Sequence, residues 1–150
     1  MNHAISILIA DDDADDRYLL QSAFDDCHLD NPLHFVEDGA ELIDYLLHQG
    51  PYHASVHPLP GLILLDLNMP RKDGREALRE IKQHPELKSI PVIILTTSKL
   101  DDDINKTYAS GANCFITKPV SFENLMDVVQ SIDQFWLKTA RIPHRRNGLS

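Results

Sequence analysis

Five short apolar runs recur along the chain, at Ile5 to Ala10, Leu33 to Val36, Leu62 to Leu65, Val92 to Leu95 and Cys114 to Thr117. Most are continuous rather than alternating. A strand that is apolar on both faces must be covered on both faces, which is the situation in a parallel sheet sandwiched by helices. The segments between the runs carry helical spacing. With 150 residues, 43% of them hydrophobic, the chain has the material for one domain with a real core and little room for two.

The first helix is predicted to follow an N-cap at Asp13, with Asp15 and Asp16 as a favourable acidic first turn and Leu19, Leu20, Ala23, Phe24 and Cys27 on one face. A second, over Asp38 to Gln49, buries Leu42, Ile43, Leu46 and Leu47. A third follows Asp73, buries Ala77, Leu78 and Ile81, and stops before Pro85. The fourth, from about Asp102 to Ser110, is the weakest. Asp101 to Asp103 read as its start, Ile104 and Tyr108 as its best apolar positions, and Gly111 as its end. The fifth starts at Ser121 and runs through Leu125, Val128, Val129, Ile132 and Trp136. Five alternations of strand and helix predict a doubly wound α/β fold with helices on both faces of a five-stranded parallel sheet.

In such a sheet ligands bind beyond the carboxyl ends of the strands. Strand one runs into Asp11, Asp12 and Asp13, strand three ends at Asp66, strand four at Thr96 and Thr97, and strand five at Lys118. Two carboxylates about 5 Å apart repel by roughly 3 kcal/mol at an effective dielectric near 20. A hard divalent cation relieves this, and Mg²⁺ suits a site that offers only a few oxygens because it keeps water ligands and also binds phosphate. Lys118 adds a fixed positive charge, and Thr96 a hydroxyl for an anionic ligand.

The ordered set ILIADDD, ILLDLNMPRKDG, VIILTTS and FITKP resembles the receiver domain of two-component response regulators over roughly residues 4 to 137. The resemblance implies a flavodoxin-like (βα)5 fold, with residues 1–137 as the receiver and 138–150 as a basic extension without an output domain. It implies Asp66 as phosphoacceptor, Asp11 and Asp12 as the metal-binding pair, the backbone carbonyl of Asn68 as a further metal ligand, Thr96 as the switch hydroxyl, Lys118 as the phosphate-binding lysine and Phe115 as the aromatic switch. Mg²⁺ is the implied cofactor, with Mn²⁺ as a substitute. A cis bond between Lys118 and Pro119 is implied as well. Asn68 and Ser98 flank the site, where they bear on water access.

The function so implied is that of a single-domain response regulator. A sensor histidine kinase passes a phosphoryl group to Asp66, and the face formed by the fourth helix, fifth strand and fifth helix is remodelled for a downstream protein. Catalysis is limited to the protein's own phosphotransfer and slow dephosphorylation, so it is not a turnover enzyme. The long segment Gln49 to Gly61, the extended fifth helix and the stand-alone design resemble the small response regulators paired with bacterial and cyanobacterial phytochromes. A phosphohydrolase of the haloacid dehalogenase type shares the aspartate, hydroxyl, lysine and metal. It requires a second aspartate two residues after the nucleophile, where this chain has Asn68, and its acidic pair follows the nucleophile rather than preceding it. A P-loop nucleotide enzyme is excluded because no G-x-x-x-x-G-K-[ST] is present. A receiver that signals by binding without phosphorylation is the third reading.

Acidic residues number 23 against 14 basic ones, and four of the bases, Lys138, Arg141, Arg145 and Arg146, lie in the last thirteen residues. The body of the domain is therefore strongly negative and unsuited to nucleic acid. No apolar run approaches the roughly 20 residues needed to span a membrane. Two cysteines, Cys27 and Cys114, without an export signal point to the reducing cytoplasm and read as small buried hydrophobes. His53 and His57 lack further ligands at metal-site spacing. Phe135 and Leu137 add apolar area beside the core stripe of the fifth helix, which predicts a homodimer or docking surface through that helix and the extension after it.

Overall fold

The computed structural model describes residues 5–143. Five strands, β1 (Ile7–Ala10), β2 (Leu33–Val36), β3 (Leu62–Leu65), β4 (Val92–Thr96) and β5 (Cys114–Thr117), form one parallel sheet in the order β2-β1-β3-β4-β5. Helices α1 (Ala14–Asp26), α2 (Gly39–Leu47), α3 (Gly74–Gln83), α4 (Asp101–Ala109) and α5 (Phe122–Ile132) alternate with them, and α5 continues as a π-helical stretch over Asp133–Thr139. This strand order reverses direction between β1 and β3, which opens a crevice at their carboxyl ends.

The continuity of the apolar runs is explained by two cores. Leu8, Ala10, Ile63, Leu65, Val92 and Ile94 face α2 and α3, where Leu42, Leu46, Ala77, Leu78 and Ile81 meet them. Their neighbours Ile7, Ile9, Leu62, Leu64, Ile93 and Leu95 face Leu20, Ala23 and Phe24 of α1 and Leu125, Val129 and Ile132 of α5. Every residue of β1, β3 and β4 is buried, whereas the edge strand β5 is half-buried throughout.

The helix starts follow the sequence. Asp13 accepts from the amides of Asp15 and Asp16, Asp38 from Glu41, Asp73 from Arg75 and Ser121 from Asn124, each satisfying amides that have no partner within their helix. Leu19 differs from expectation: it is 37% exposed rather than part of the core face. The fourth helix differs more. Its inward positions are Asp103 and Thr107, while Ile104 is half-buried and Tyr108 exposed. The Tyr108 hydroxyl instead accepts from the Phe115 amide at 3.1 Å, at the outer edge of β5. Its phenol satisfies a strand-edge amide, which apolar spacing alone could not reveal.

The segment between α2 and β3 is bound to the body of the domain. His48 ends α2 in the left-handed region at φ 54°, and a short 3-10 turn follows at Gly50–Tyr52. The His57 ring lies between Tyr45 and His48, with centroids 3.8 and 4.2 Å away, and the opposite face of the Tyr45 neighbourhood is covered by His34 at 4.4 Å. His57 Nε2 lies 2.8 Å from the Tyr45 carbonyl, and Tyr52 donates to Glu41 at 2.6 Å. His57 is thus a packing residue of this loop. Cys27 and Cys114 are half-buried, and burial pushes both thiols up.

Two glycines set how closely the loops approach. A Cβ on Gly74 would lie 2.1 Å from the Asp66 carbonyl oxygen, and one on Gly39 would lie 2.2 Å from that of Lys72. Gly74 therefore lets the first turn of α3 press against the backbone of Asp66. Gly74→Ala is expected to destabilise the fold by about 1 to 3 kcal/mol despite the better helix propensity of alanine. Denaturant melts of the two proteins measure this, and equal midpoints would show that the contact is not tight.

Candidate functional site

The site is built at the carboxyl edge of the sheet by continuation of the strand ladder. The Asp11 amide donates to Val36, Asp66 to Ala10 and Lys118 to Thr96, at 3.0, 3.0 and 2.7 Å. Each polar residue is thereby fixed one step past its strand. Asp11, Asp66 and Thr96 are buried and Asp12 is exposed. One oxygen from each of Asp11, Asp12 and Asp66 lies within 4.8 Å of the others, a spacing suited to a single cation.

Lys118 is the centre of the arrangement. Its ammonium donates to Asp11 at 2.6 Å, Asp16 at 2.9 Å and Asp66 at 3.0 Å. Burial disfavours the ammonium, but the bonds to Asp11 and Asp16 and the charges of Asp11 and Asp66 outweigh it and hold Lys118 above the ordinary lysine range. Burial raises the Asp11 carboxyl, with the Lys118 bond opposing the shift. One ammonium among three carboxylates leaves the cluster short of positive charge. Hard oxygen donors that carry excess negative charge and lie open on one side through Asp12 fit Mg²⁺ or Mn²⁺.

Thr96 ends β4, and its carbonyl accepts from the Lys118 amide. Its hydroxyl is buried and makes no hydrogen bond among the described residues. A buried unpaired hydroxyl costs about 1 to 3 kcal/mol, and such an atom in a native site calls for a ligand or a moving partner. Phe115 is half-buried against the core on the α2 and α3 side, and Asn68 is exposed with its amide 3.4 Å from Asp66 Oδ1.

The structure brings together Asp11, Asp12, Asp66 and Lys118, with Asn68 two residues past Asp66, Thr96 at the end of β4 and Phe115 on β5. Residues 7–130 match the response regulator receiver domain family. The chain belongs to that family. Response regulator Rcp1 of Synechocystis sp. is 44% identical over 137 residues, which are 91% of this chain and 92% of that protein. The crystal structure of the phosphorylated cyanobacterial phytochrome response regulator RcpA superimposes with a TM-score of 0.88 at 42% identity, covering 95% of this chain and all of that one. The Mn²⁺-bound form of Rcp1 gives a TM-score of 0.85 at 44% identity, over 93% of this chain and 99% of that one. The fold is accordingly that of a receiver domain.

Three features of this receiver differ from the expectations. Asp16, read as a helix-first-turn acid, is a direct partner of Lys118, whose ammonium donates to it at 2.9 Å. Asp103, read as part of a helix start, is buried, accepts from Arg75 Nε and Nη2 at 2.8 Å each, and accepts from Ser98 Oγ at 2.7 Å. The Lys118–Pro119 bond is trans, as are all described peptide bonds. Trans is the lower-energy isomer of an Xaa–Pro bond by about 0.5 to 1 kcal/mol, and Lys118 reaches its three carboxylates from it. No spacing rule identifies Asp16 or Asp103, because the partner of the first is Lys118, just past β5, and that of the second is Arg75 on α3.

Arg75 and then Ser98, through their hydrogen bonds, hold the Asp103 carboxyl down at about 2, against an ordinary value of 3.8. The folded state therefore binds this proton less readily than the unfolded one. The stability it contributes is complete above about pH 4 and is lost as the pH falls through 2. Acid titration followed by circular dichroism should show a weaker pH dependence over that range in Asp103→Asn than in the native protein, and identical slopes would rule the pair out as a source.

Proposed function

We propose that this receiver accepts a phosphoryl group on Asp66 from the phosphohistidine of a sensor histidine kinase, in a Mg²⁺-dependent reaction. The observation that carries the reading is the Lys118 ammonium bonded to buried Asp66, beside the Asp11 and Asp12 carboxylates, with a buried, unpartnered hydroxyl at Thr96 on the end of the neighbouring strand β4. Asp11, Asp12, Asp66 and the backbone carbonyl of Asn68 would hold the metal, which supplies charge neutralisation and a template for the phosphoryl oxygens. A carboxylate oxygen of Asp66 attacks phosphorus, an O–P bond forms, the P–N bond breaks, and its electron pair returns to the imidazole nitrogen. Lys118 offsets charge on the transferring group.

The acyl phosphate then supplies an acceptor for Thr96. Movement of that hydroxyl toward it, with Phe115 turning inward, biases a two-state equilibrium and changes the α4-β5-α5 face. Solved relatives named as phytochrome and bacteriophytochrome response regulators support a phytochrome-type kinase as the partner. Incubation with Mg²⁺ and acetyl phosphate should add one phosphoryl group by intact mass, with none added in Asp66→Asn or in the presence of a chelator. Label that survives Asp66→Asn would place the acceptor elsewhere.

We also infer a homodimer contact on α5 and the residues after it. Trp136 and Leu137 pack on the protein's own core, which leaves Phe135, 54% exposed and edge-to-face with Trp136, as its apolar centre. Of the basic extension, residues 144–150 lie outside the described residues. Light scattering is expected to give twice the monomer mass for the native protein and a lower mass for Phe135→Asp; a native monomer with and without phosphorylation would remove the dimer.

A further inference from the structure

Arg75, the second residue of α3, makes a set of bonds that the phosphoacceptor reaction does not require. Its Nε and Nη2 engage both oxygens of Asp103 on α4, and its Nη1 donates to Asp73 at 3.0 Å and reaches Asn68 Oδ1 at 3.4 Å. The second Asp103 oxygen also holds Ser98 Oγ. Ser98 stands two residues beyond Thr96, and its carbonyl accepts from Thr117 of β5 at 3.4 Å. One guanidinium therefore ties the loop after β3, which carries Asn68, to the loop after β4, which carries Ser98. Asp66 begins the first of these loops.

Helix capping does not account for this arrangement. Asp101 and Asp102 supply negative charge to the first turn of α4 from solvent, whereas Asp103 is 7% exposed. Burying a carboxylate costs desolvation that its partner must offset, and a buried ion pair contributes geometry more dependably than it contributes stability. The planar fork of arginine fixes the carboxylate in position and orientation together. The geometry that is fixed here is the position of the first turn of α4 relative to that of α3, and with it the spacing of the loops after β3 and β4.

We propose that Arg75 is a positioning residue for hydrolysis of the aspartyl phosphate: acting through Asp103 and Ser98, it holds the two loops together over the site, restricts water and lengthens the life of the phosphoryl group. The proposal rests on Asp66 as phosphoacceptor. In the hydrolysis, a water oxygen attacks phosphorus, the bond from phosphorus to the Asp66 oxygen breaks, the carboxylate is restored and inorganic phosphate leaves as dihydrogen phosphate with both protons of the water. Attack needs water in line behind phosphorus, opposite the Asp66 oxygen. With Arg75 in place, the Asn68 carboxamide and Ser98 hydroxyl at the rim are both engaged. Without it, Asn68 Oδ1 loses its donor and the Asp103 carboxylate that holds Ser98 is no longer fixed to α3, so the loops can separate.

The test uses the full chain. The native protein, Arg75→Ala, Arg75→Lys, Asp103→Ala and the double alanine variant are phosphorylated with acetyl phosphate and Mg²⁺, freed of donor, and followed by intact mass. The first-order decay constant does not depend on how much protein was labelled. Loss of the fork should raise it about tenfold, the scale of one charge-assisted hydrogen bond network. The double variant should decay no faster than either single one, because both changes remove the same pair. Arg75→Lys, which keeps the charge but not the fork, should lie between native and Arg75→Ala, and it serves as the test if an alanine variant fails to fold. A merely structural role would lower melting temperatures without this graded order. Equal or slower decay in Arg75→Ala, or additive effects in the double variant, would overturn the proposal while leaving Asp66 as acceptor. Failure of the native protein to take up label would remove the acceptor reading and this proposal with it.

Discussion

A single ammonium, that of Lys118, sits among the carboxylates of Asp11, Asp16 and Asp66, and the carboxyl edge of the sheet depends on it. Without a cation at this point, two of those acids would be buried side by side with no compensating charge, at a cost of several kcal/mol. The strand order places this point at the crevice between β1 and β3, and parallel strands aim all of their last residues toward it. The ammonium also leaves charge uncompensated, since three carboxylates outnumber it. A metal and a phosphoryl group are therefore complementary additions, the first answering the acids and the second answering the lysine.

The same logic explains what could be read from the sequence. Apolar runs and the polar residue after each one are local patterns, so the five strands, their covering helices and the set Asp11, Asp12, Asp66, Thr96 and Lys118 were legible. Helix N-caps at Asp13, Asp38, Asp73 and Ser121 were legible because the signal lies within four residues. Asp16 and Asp103 were not, because their roles depend on Lys118 and Arg75, which lie 102 and 28 residues away. A charged side chain in a first helical turn has a satisfactory local explanation, which conceals a distant partner. Tyr108 is a similar case. Its spacing makes it one of the best apolar positions of α4, yet its hydroxyl serves the edge of β5.

The weakness of α4 as a sequence pattern has a physical counterpart. Four helices meet the sheet through leucine, isoleucine, valine, alanine and phenylalanine, while α4 turns Asp103 and Thr107 inward. Thr107 satisfies its hydroxyl on the carbonyls of Asp103 and Ile104, so it contributes little apolar contact. The position of α4 is set by directional polar bonds rather than by close packing. Such bonds specify a geometry sharply when made, and they can be exchanged for others without opening a cavity.

At the other edge of the sheet, the ring column of His34, Tyr45, His57 and His48 fastens the segment after α2 to the flank of β2. Tyr52 adds edge-on contacts to His34, Tyr45 and His57. The two margins of the sheet are therefore held by different means: stacked rings beside β2, and directional polar bonds beside the half-buried β5. Asp66, just past the central strand β3, lies midway between them. This asymmetry belongs to the scaffold itself.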